Sequence, residues 1–303
     1  MADTRVNFGR VMTAMVTPFA ADGSVDYEQA GVLARMLLAS GSDGLVLTGT
    51  TGETPTLSIE EQVEVWRAVR KAVGPAATII GGASTNSTSE SLEMVREGVS
   101  AGMSGLMFTV PYYNKPPQEG LYRHFTTLAA ATPLPCILYN IPGRTALNMT
   151  AETTLRLAND VPNIVGIKEA AGDLPQAKAI CDAAPVGFRL WSGDDALTLD
   201  ILDQGGWGIV SVASHLVGVQ ISEMIAAYVR GDLAGARTIE ARLMPLFNVM
   251  FIETNPIPVK YALNHAGIRV GSLRLPMIEA SPAAQAQIDA EMAKHRLDVL
   301  AAV

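Results

Sequence analysis

The chain has 303 residues, 49% of them hydrophobic, and a formal net charge of −8 at pH 7. That is enough apolar material for a large core, and the acidic balance with no basic run excludes nucleic acid as the main partner, since phosphate binding needs clustered Lys and Arg. Residues 1–10 are polar with no apolar h-region, no run reaches the roughly 18 apolar residues of a membrane span, and the two cysteines, Cys136 and Cys181, form no disulfide framework. A cytoplasmic protein is expected.

In chain order, short apolar runs alternate with amphipathic stretches every roughly 20–35 residues, the spacing of βα units. The expected strands are 11–17, 44–48, 78–81, 105–110, 136–140, 164–168, 189–192 and 208–212. Several are continuously apolar, as strands buried on both faces should be. Expected helices between them include 27–40, 59–73, 89–101, 119–131 and 151–159. Ser58 is the expected cap of the second, with Glu60 and Glu61 in its first turn. After residue 212 only helices are expected, at 216–229, 233–251, 258–266 and 283–300. Eight βα units predict an α/β fold, a closed (β/α)8 TIM barrel over residues 1–230, with a C-terminal α-helical extension over 231–303. A doubly wound open sheet is the alternative, but it gives no reason for eight units.

Active sites of such barrels form at the C-terminal strand ends. Strand two ends in Gly49-Thr50-Thr51-Gly52-Glu53, strand four in Pro111-Tyr112-Tyr113-Asn114, and strand five in Tyr139-Asn140-Ile141-Pro142-Gly143-Arg144. Strand six ends in Lys168-Glu169, strand seven in Ser192-Gly193-Asp194-Asp195 and strand eight in Ser211-Val212. Of six lysines, only Lys168 closes a β-branched run. Burial there would lower its pKa and supply a free amine, a Schiff-base nucleophile. The competing reading is a lysine snorkelling out of a core strand.

The Gly49–Gly52 turn can present amides to a small carboxylate, or be an ordinary βα turn. It lacks the lysine and spacing of a nucleotide loop. Arg144 offers a carboxylate-binding fork, or is a loop arginine in solvent. Tyr139 can move protons beside Lys168, or fill the interior. Tyr112 and Tyr113 form a stiff aromatic loop suited to chemistry or to a packing or subunit contact. Asp194-Asp195 fits a helix cap over residues 196–202 better than a metal site, and no pair of histidines has ligand spacing.

These motifs, with Asn255-Pro256-Ile257-Pro258-Val259-Lys260 and Leu273-Arg274-Leu275-Pro276, resemble the dihydrodipicolinate synthase / N-acetylneuraminate lyase superfamily of lysine-dependent class I aldolases. The resemblance covers nearly the whole chain, and the shared order of the motifs is its specific element. Arg144 and the Thr-Thr and Tyr-Tyr pairs are nearer to the synthases than to the sialic acid lyases. The resemblance implies a lyase of lysine and diaminopimelate biosynthesis that condenses pyruvate with L-aspartate 4-semialdehyde. Lys168 would carry the imine, with no other cofactor and no metal. Tyr139, Thr50 and a neighbouring subunit's counterpart of Tyr113 would relay protons. Thr50 and Thr51 would hold the pyruvate carboxylate, Arg144 the aldehyde's carboxylate, Gly193 would bind substrate, and the Val210 carbonyl would lie near the lysine. It also implies a homo-oligomer, a tetramer built as a dimer of dimers, and a lysine-effector site at Asn86, Glu90 and Tyr112. Ile59 and Gln62 stand where strongly inhibited members carry histidines, so weak or absent lysine inhibition is expected. Other pyruvate aldolases of the superfamily, for sugar acids or hydroxy-oxoglutarate, and a non-catalytic binding paralogue are the competing readings.

Overall fold

The structure, a computed structural model, describes residues 8–299. The expectations for residues 1–7 and for the helix end at residue 300 lie outside the described residues. Eight strands are β1 (Val11–Ala14), β2 (Gly44–Leu47), β3 (Thr78–Gly82), β4 (Gly105–Thr109), β5 (Cys136–Asn140), β6 (Ile164–Glu169), β7 (Arg189–Ser192) and β8 (Gly208–Ser211). They pair in chain order and close into a barrel, so the fold is the expected (β/α)8 barrel followed by helices. The strand cores are buried throughout, which explains their unbroken apolar runs.

Helices fill the connections: α1 (Tyr27–Ala39), α2 (Ile59–Val73), α3 (Thr88–Ser100), α4 (Gln118–Ala130), α5 (Pro142–Thr145), α6 (Ala151–Asp160), α7 (Leu174–Ala183) and α8 (Thr198–Asp203). Local chemistry sets their ends. The Ser58 hydroxyl accepts from the Glu61 amide at 3.2 Å and Glu61 Oε2 accepts from the Ser58 amide at 2.9 Å, a capping box that starts α2. Gly74, with φ of 77°, stops it. The short α5 is absent from the sequence expectations, and the ten-residue α7 fills the sixth βα unit, for which they give no helix bounds.

The extension holds α9 (Ser214–Val229), α10 (Leu233–Val249), α11 (Ile257–His265) and α12 (Pro282–Met292). The expected last helix runs too far, because α12 ends at Met292 and the chain then turns back. The Asp298 amide donates to Leu216 O at 2.7 Å, and Asp298 Oδ2 accepts from the Gln220 amide at 3.0 Å. These bonds tie the tail to α9 in a non-helical course. Among the described residues, no helix is long and apolar enough to cross a membrane.

The chain packs as two compact units. One comprises residues 8–9 with Thr78–Val210, and so β3 to β7, β8 as far as Val210, and α3 to α8. The other comprises Arg10–Ala77 with residues 211–299, and so β1, β2, α1, α2 and the extension.

Candidate active site

The first unit carries the lysine. Register on β5, β6 and β7 sets Tyr139 opposite Lys168 and Lys168 opposite Trp191. Lys168 is 6% exposed and makes no ion pair among the described residues. Its Nζ lies 4.3 Å from the centroid of the Tyr139 ring. Burial is the main cause that lowers its pKa from 10.5 to about 8; the Arg144 charge adds to the fall and the Asp195 carboxylate opposes it. The amine is therefore partly neutral near physiological pH, as a carbonyl nucleophile requires.

Glycine at 193 makes room for this arm. A Cβ there would stand 2.5 Å from Ala170 Cβ and 3.1 Å from Lys168 Cε. Asp194 caps the short turn Asp195–Leu197, accepting from the Ala196 amide at 2.9 Å, while Asp195 is buried. The pair therefore divides its roles: one residue caps, as the sequence suggested, and the other sets the charge felt by Lys168, which the sequence reading missed. Arg144 sits exposed on α5, and Val210 is buried on β8.

Behind the lysine lies a network the sequence reading did not foresee. Glu169 is 3% exposed, and burial raises its pKa. Its carboxylate accepts from Asn140 Nδ2 at 3.1 Å to each oxygen, from Gln176 Nε2 at 3.0 Å and from the Ala171 amide at 2.8 Å. Side chains alternate along a strand, so the residue after an inward lysine points the other way.

The expected effector residues come together in the same unit. Asn86 Nδ2 donates to Tyr112 O at 3.1 Å, and Asn114 Nδ2 donates to Asn86 O at 2.9 Å. Glu90 accepts from Thr85 Oγ1 at 3.1 Å, and its charge contributes to a raised Tyr112 pKa, after burial. Tyr113 next to them is 89% exposed with φ of 72°. A large aromatic side chain held so far out on a left-handed residue has little to pack on among the described residues of its own chain.

The second unit holds the threonine turn. Thr50–Gly52 is one 3-10 turn whose bonds use the amides of Gly52, Glu53 and Thr54, leaving those of Thr50 and Thr51 outside its ladder. Thr51 Oγ1 accepts from Asn255 Nδ2 at 2.9 Å. Glu53, in the left-handed region at φ 58°, pairs with Lys260 Nζ at 2.7 Å and accepts from the Arg274 amide at 3.1 Å. Lys260 is 1% exposed, and its pKa also falls to about 8, chiefly through burial. Arg274 spans Glu61 with a fork at 2.6 and 2.8 Å. The Asn255–Lys260 and Leu273–Pro276 motifs therefore brace the threonine turn. Gln62, expected where a histidine would favour lysine, is buried and donates to Leu57 O at 3.3 Å, and Ile59 is half-buried.

Fold and lysine together define a parallel (β/α)8 barrel with a desolvated amine at one strand's C-terminal end. The chain belongs to the dihydrodipicolinate synthetase family, whose model matches residues 7–295. It is 55% identical over 274 residues to the 4-hydroxy-tetrahydrodipicolinate synthase of Symbiobacterium thermophilum, covering 90% of this chain and 93% of that one. The dihydrodipicolinate synthase of Cyanidioschyzon merolae, solved with lysine bound, superposes with a TM-score of 0.93 at 47% identity, covering 95% of this chain and 98% of the other. A monomeric dihydrodipicolinate synthase variant superposes at 0.92 with 39% identity, covering 95% and 97%.

Proposed function

We infer that this chain is a 4-hydroxy-tetrahydrodipicolinate synthase, which condenses pyruvate with L-aspartate 4-semialdehyde. The observation that supports this most is the Lys168 amine: buried, free of any ion pair among the described residues, and brought to a pKa of about 8. Lys260 is also buried and its pKa also falls to about 8, but Glu53 and the Ser272 carbonyl engage it, so it is a structural cation rather than a nucleophile.

In this reading the neutral Lys168 amine adds to the ketone carbon of pyruvate, and loss of water gives the imine. The protonated imine withdraws electrons from the methyl carbon, which gives up a proton to form the enamine. The enamine carbon adds to the semialdehyde carbonyl, whose oxygen takes up a proton. The substrate's own amine then attacks the imine carbon, closes the ring and releases Lys168. Tyr139, beside the amine, passes these protons with Thr50 and with Tyr113 of a neighbouring copy. Thr50 and Thr51 receive the pyruvate carboxylate, and Gly193 and the Val210 carbonyl border the lysine. The Arg144 guanidinium pairs with the carboxylate of the semialdehyde. The imine nitrogen is the electron sink, so the scheme calls for no metal or organic cofactor. The bare Tyr113 favours a homo-oligomer, and we propose a tetramer. A reducing cytoplasm suits both the biosynthetic role and the two free thiols, Cys136 and Cys181. Asn86, Glu90 and Tyr112 form the proposed lysine site.

Borohydride trapping with pyruvate, followed by peptide mapping, tests the central assignment. A mass increase on Lys168 is expected, and one on another lysine would overturn it. Comparing semialdehyde with sugar-acid aldehydes as the second substrate then tests the named reaction.

A further inference from the structure

We propose that Glu169 is a positioning residue for the second substrate: with Asn140, Asn148 and Gln176 it fixes the segment that carries Arg144. The proposal rests on the reading of Arg144 as the anchor for the semialdehyde's carboxylate.

Arg144 lies on α5, a four-residue helix on an excursion that leaves β5 after Asn140 and returns before α6. A helix of four residues does not hold its own place. Its two ends, however, are closed on each other. Asn140 is fully buried, and its Oδ1 accepts from the Met149 amide at 3.0 Å. That bond fixes the amide's orientation, so Nδ2 faces Asn148 Oδ1 at 2.7 Å and both oxygens of Glu169. Asn148 Nδ2 donates to Gln176 Oε1 at 2.8 Å, and Gln176 Nε2 returns to Glu169 Oε2. The first residue of the excursion thus bonds the carboxylate directly, and the last is tied to it through Asn140 and Gln176.

That carboxylate stands on β6 directly after Lys168, and no cation pairs with it among the described residues. Every group it touches is an N–H donor, so the ring is satisfied only by the ionised form. An anion held without a counter-cation is a costly element of a core, and the amides of Asn140, Gln176 and Ala171 are spent on it here. An apolar core would fill the same space without this ring. What the ring adds is a fixed distance between the lysine strand and both ends of the Arg144 segment.

Two substitutions test this in the intact enzyme. Asn148→Ala removes a half-buried link with little risk to folding. Glu169→Gln keeps the shape but turns an amide N–H toward N–H donors. For each, the semialdehyde KM at saturating pyruvate is measured beside the rate of borohydride-trapped pyruvate adduct. We expect KM to rise about 10- to 100-fold, the scale of a reactant misplaced by an ångström, with trapping within about 3-fold of the parent. In an Arg144→Ala background the same substitutions should add less than about 2-fold, because their effect passes through Arg144. An equal loss of trapping, or the full effect in the Arg144→Ala background, overturns the proposal and leaves the ring a support for the barrel. If Arg144→Ala alone leaves the semialdehyde KM unchanged, the reading of Arg144 itself fails and the proposal falls with it. If Glu169→Gln does not fold, Asn148→Ala decides.

Discussion

Two lysines with the same shifted pKa should respond oppositely to removal. Lys168 and Lys260 both fall from 10.5 to about 8, with burial as the main cause. Below pH 8 each is protonated in the folded and the unfolded chain, so the fold carries the full penalty of a desolvated ammonium. Between about 8 and 10.5 the unfolded chain binds the extra proton, so this penalty fades and stability rises with pH. A shift of this size corresponds to about 3 kcal/mol per lysine at pH 7. Lys168→Met removes that penalty, in which the attraction of Asp195 is already counted, and gives up the contact of Nζ with the Tyr139 ring, worth about 1–2 kcal/mol. A net gain of about 1–2 kcal/mol is expected in a chain that no longer turns over. Lys260→Met removes the same penalty but strands Glu53, whose side chain is 2% exposed, without its ion-pair partner. Breaking a buried pair from one side costs about 3–5 kcal/mol. Thermal unfolding at fixed protomer concentration should move up by roughly 2–8 °C for the first variant and down by roughly 6–20 °C for the second. Adding Glu53→Gln to Lys260→Met should recover part of the loss, and the Lys168→Met gain should shrink at pH 9.5. Equal destabilisation by both lysine substitutions would refute the reasoning, since it would require an attraction of the Lys168 ammonium to Asp195 that outweighs its burial.

The rate of pyruvate imine trapping should rise with pH through an inflection near 8. Asp195→Asn should move the inflection down by removing the charge that holds the proton, and Arg144→Ala should move it up; an inflection that ignores both would discount these neighbours. Tyr113→Phe should lower turnover roughly 10- to 1000-fold. Mixed oligomers of Tyr113→Phe and Lys168→Ala chains should regain activity, and verified mixed oligomers without rescue would place that tyrosine's role within one subunit. Lysine titrated against the initial rate at fixed pyruvate should reach half-inhibition only above about 0.1 mM, some −5.5 kcal/mol of binding. Tighter inhibition would show that Gln62 and Ile59 do not weaken the site.

The sequence carried the barrel because each strand is a short apolar run bounded by turn residues, and eight such runs admit few arrangements. Lys168 was legible for the same reason: a lone charge at the end of a β-branched run. The buried partners were harder to read. Glu53 and Lys260 are far apart in sequence, and no local pattern joins a residue after β2 to one on α11. Asp195 looked like half of a cap because its neighbour is one. The bounds of helix α7 are hard to read because its sequence from Leu174 to Ala183 buries only Ala177 and Ile180, which leaves a weak apolar period. The last helix was drawn too long because its turn back depends on Asp298 meeting α9, a tertiary bond.

One irregularity on β6 decides which residues the site is made from. Cys136 of β5 pairs with Ile164, but Ile137 pairs with Gly166, so Val165 is an extra residue on the lysine strand. Without it Tyr139 would stand opposite Ile167, and Asn140 opposite Lys168. With it Tyr139 faces Lys168 and Asn140 faces Glu169. A bulge beside an active site re-aims side chains in this way. Because faces alternate along a strand, the same shift sorts the four residues: the tyrosine with the amine, and the asparagine with the carboxylate that closes the Arg144 segment. The residue after the bulge is glycine, and a Cβ there would meet Arg189 O at 2.3 Å and the Trp191 ring at 2.6 Å. Val165-Gly166, unremarkable as sequence, is therefore the pair that sets the tyrosine against the lysine and the asparagine against the carboxylate on one strand.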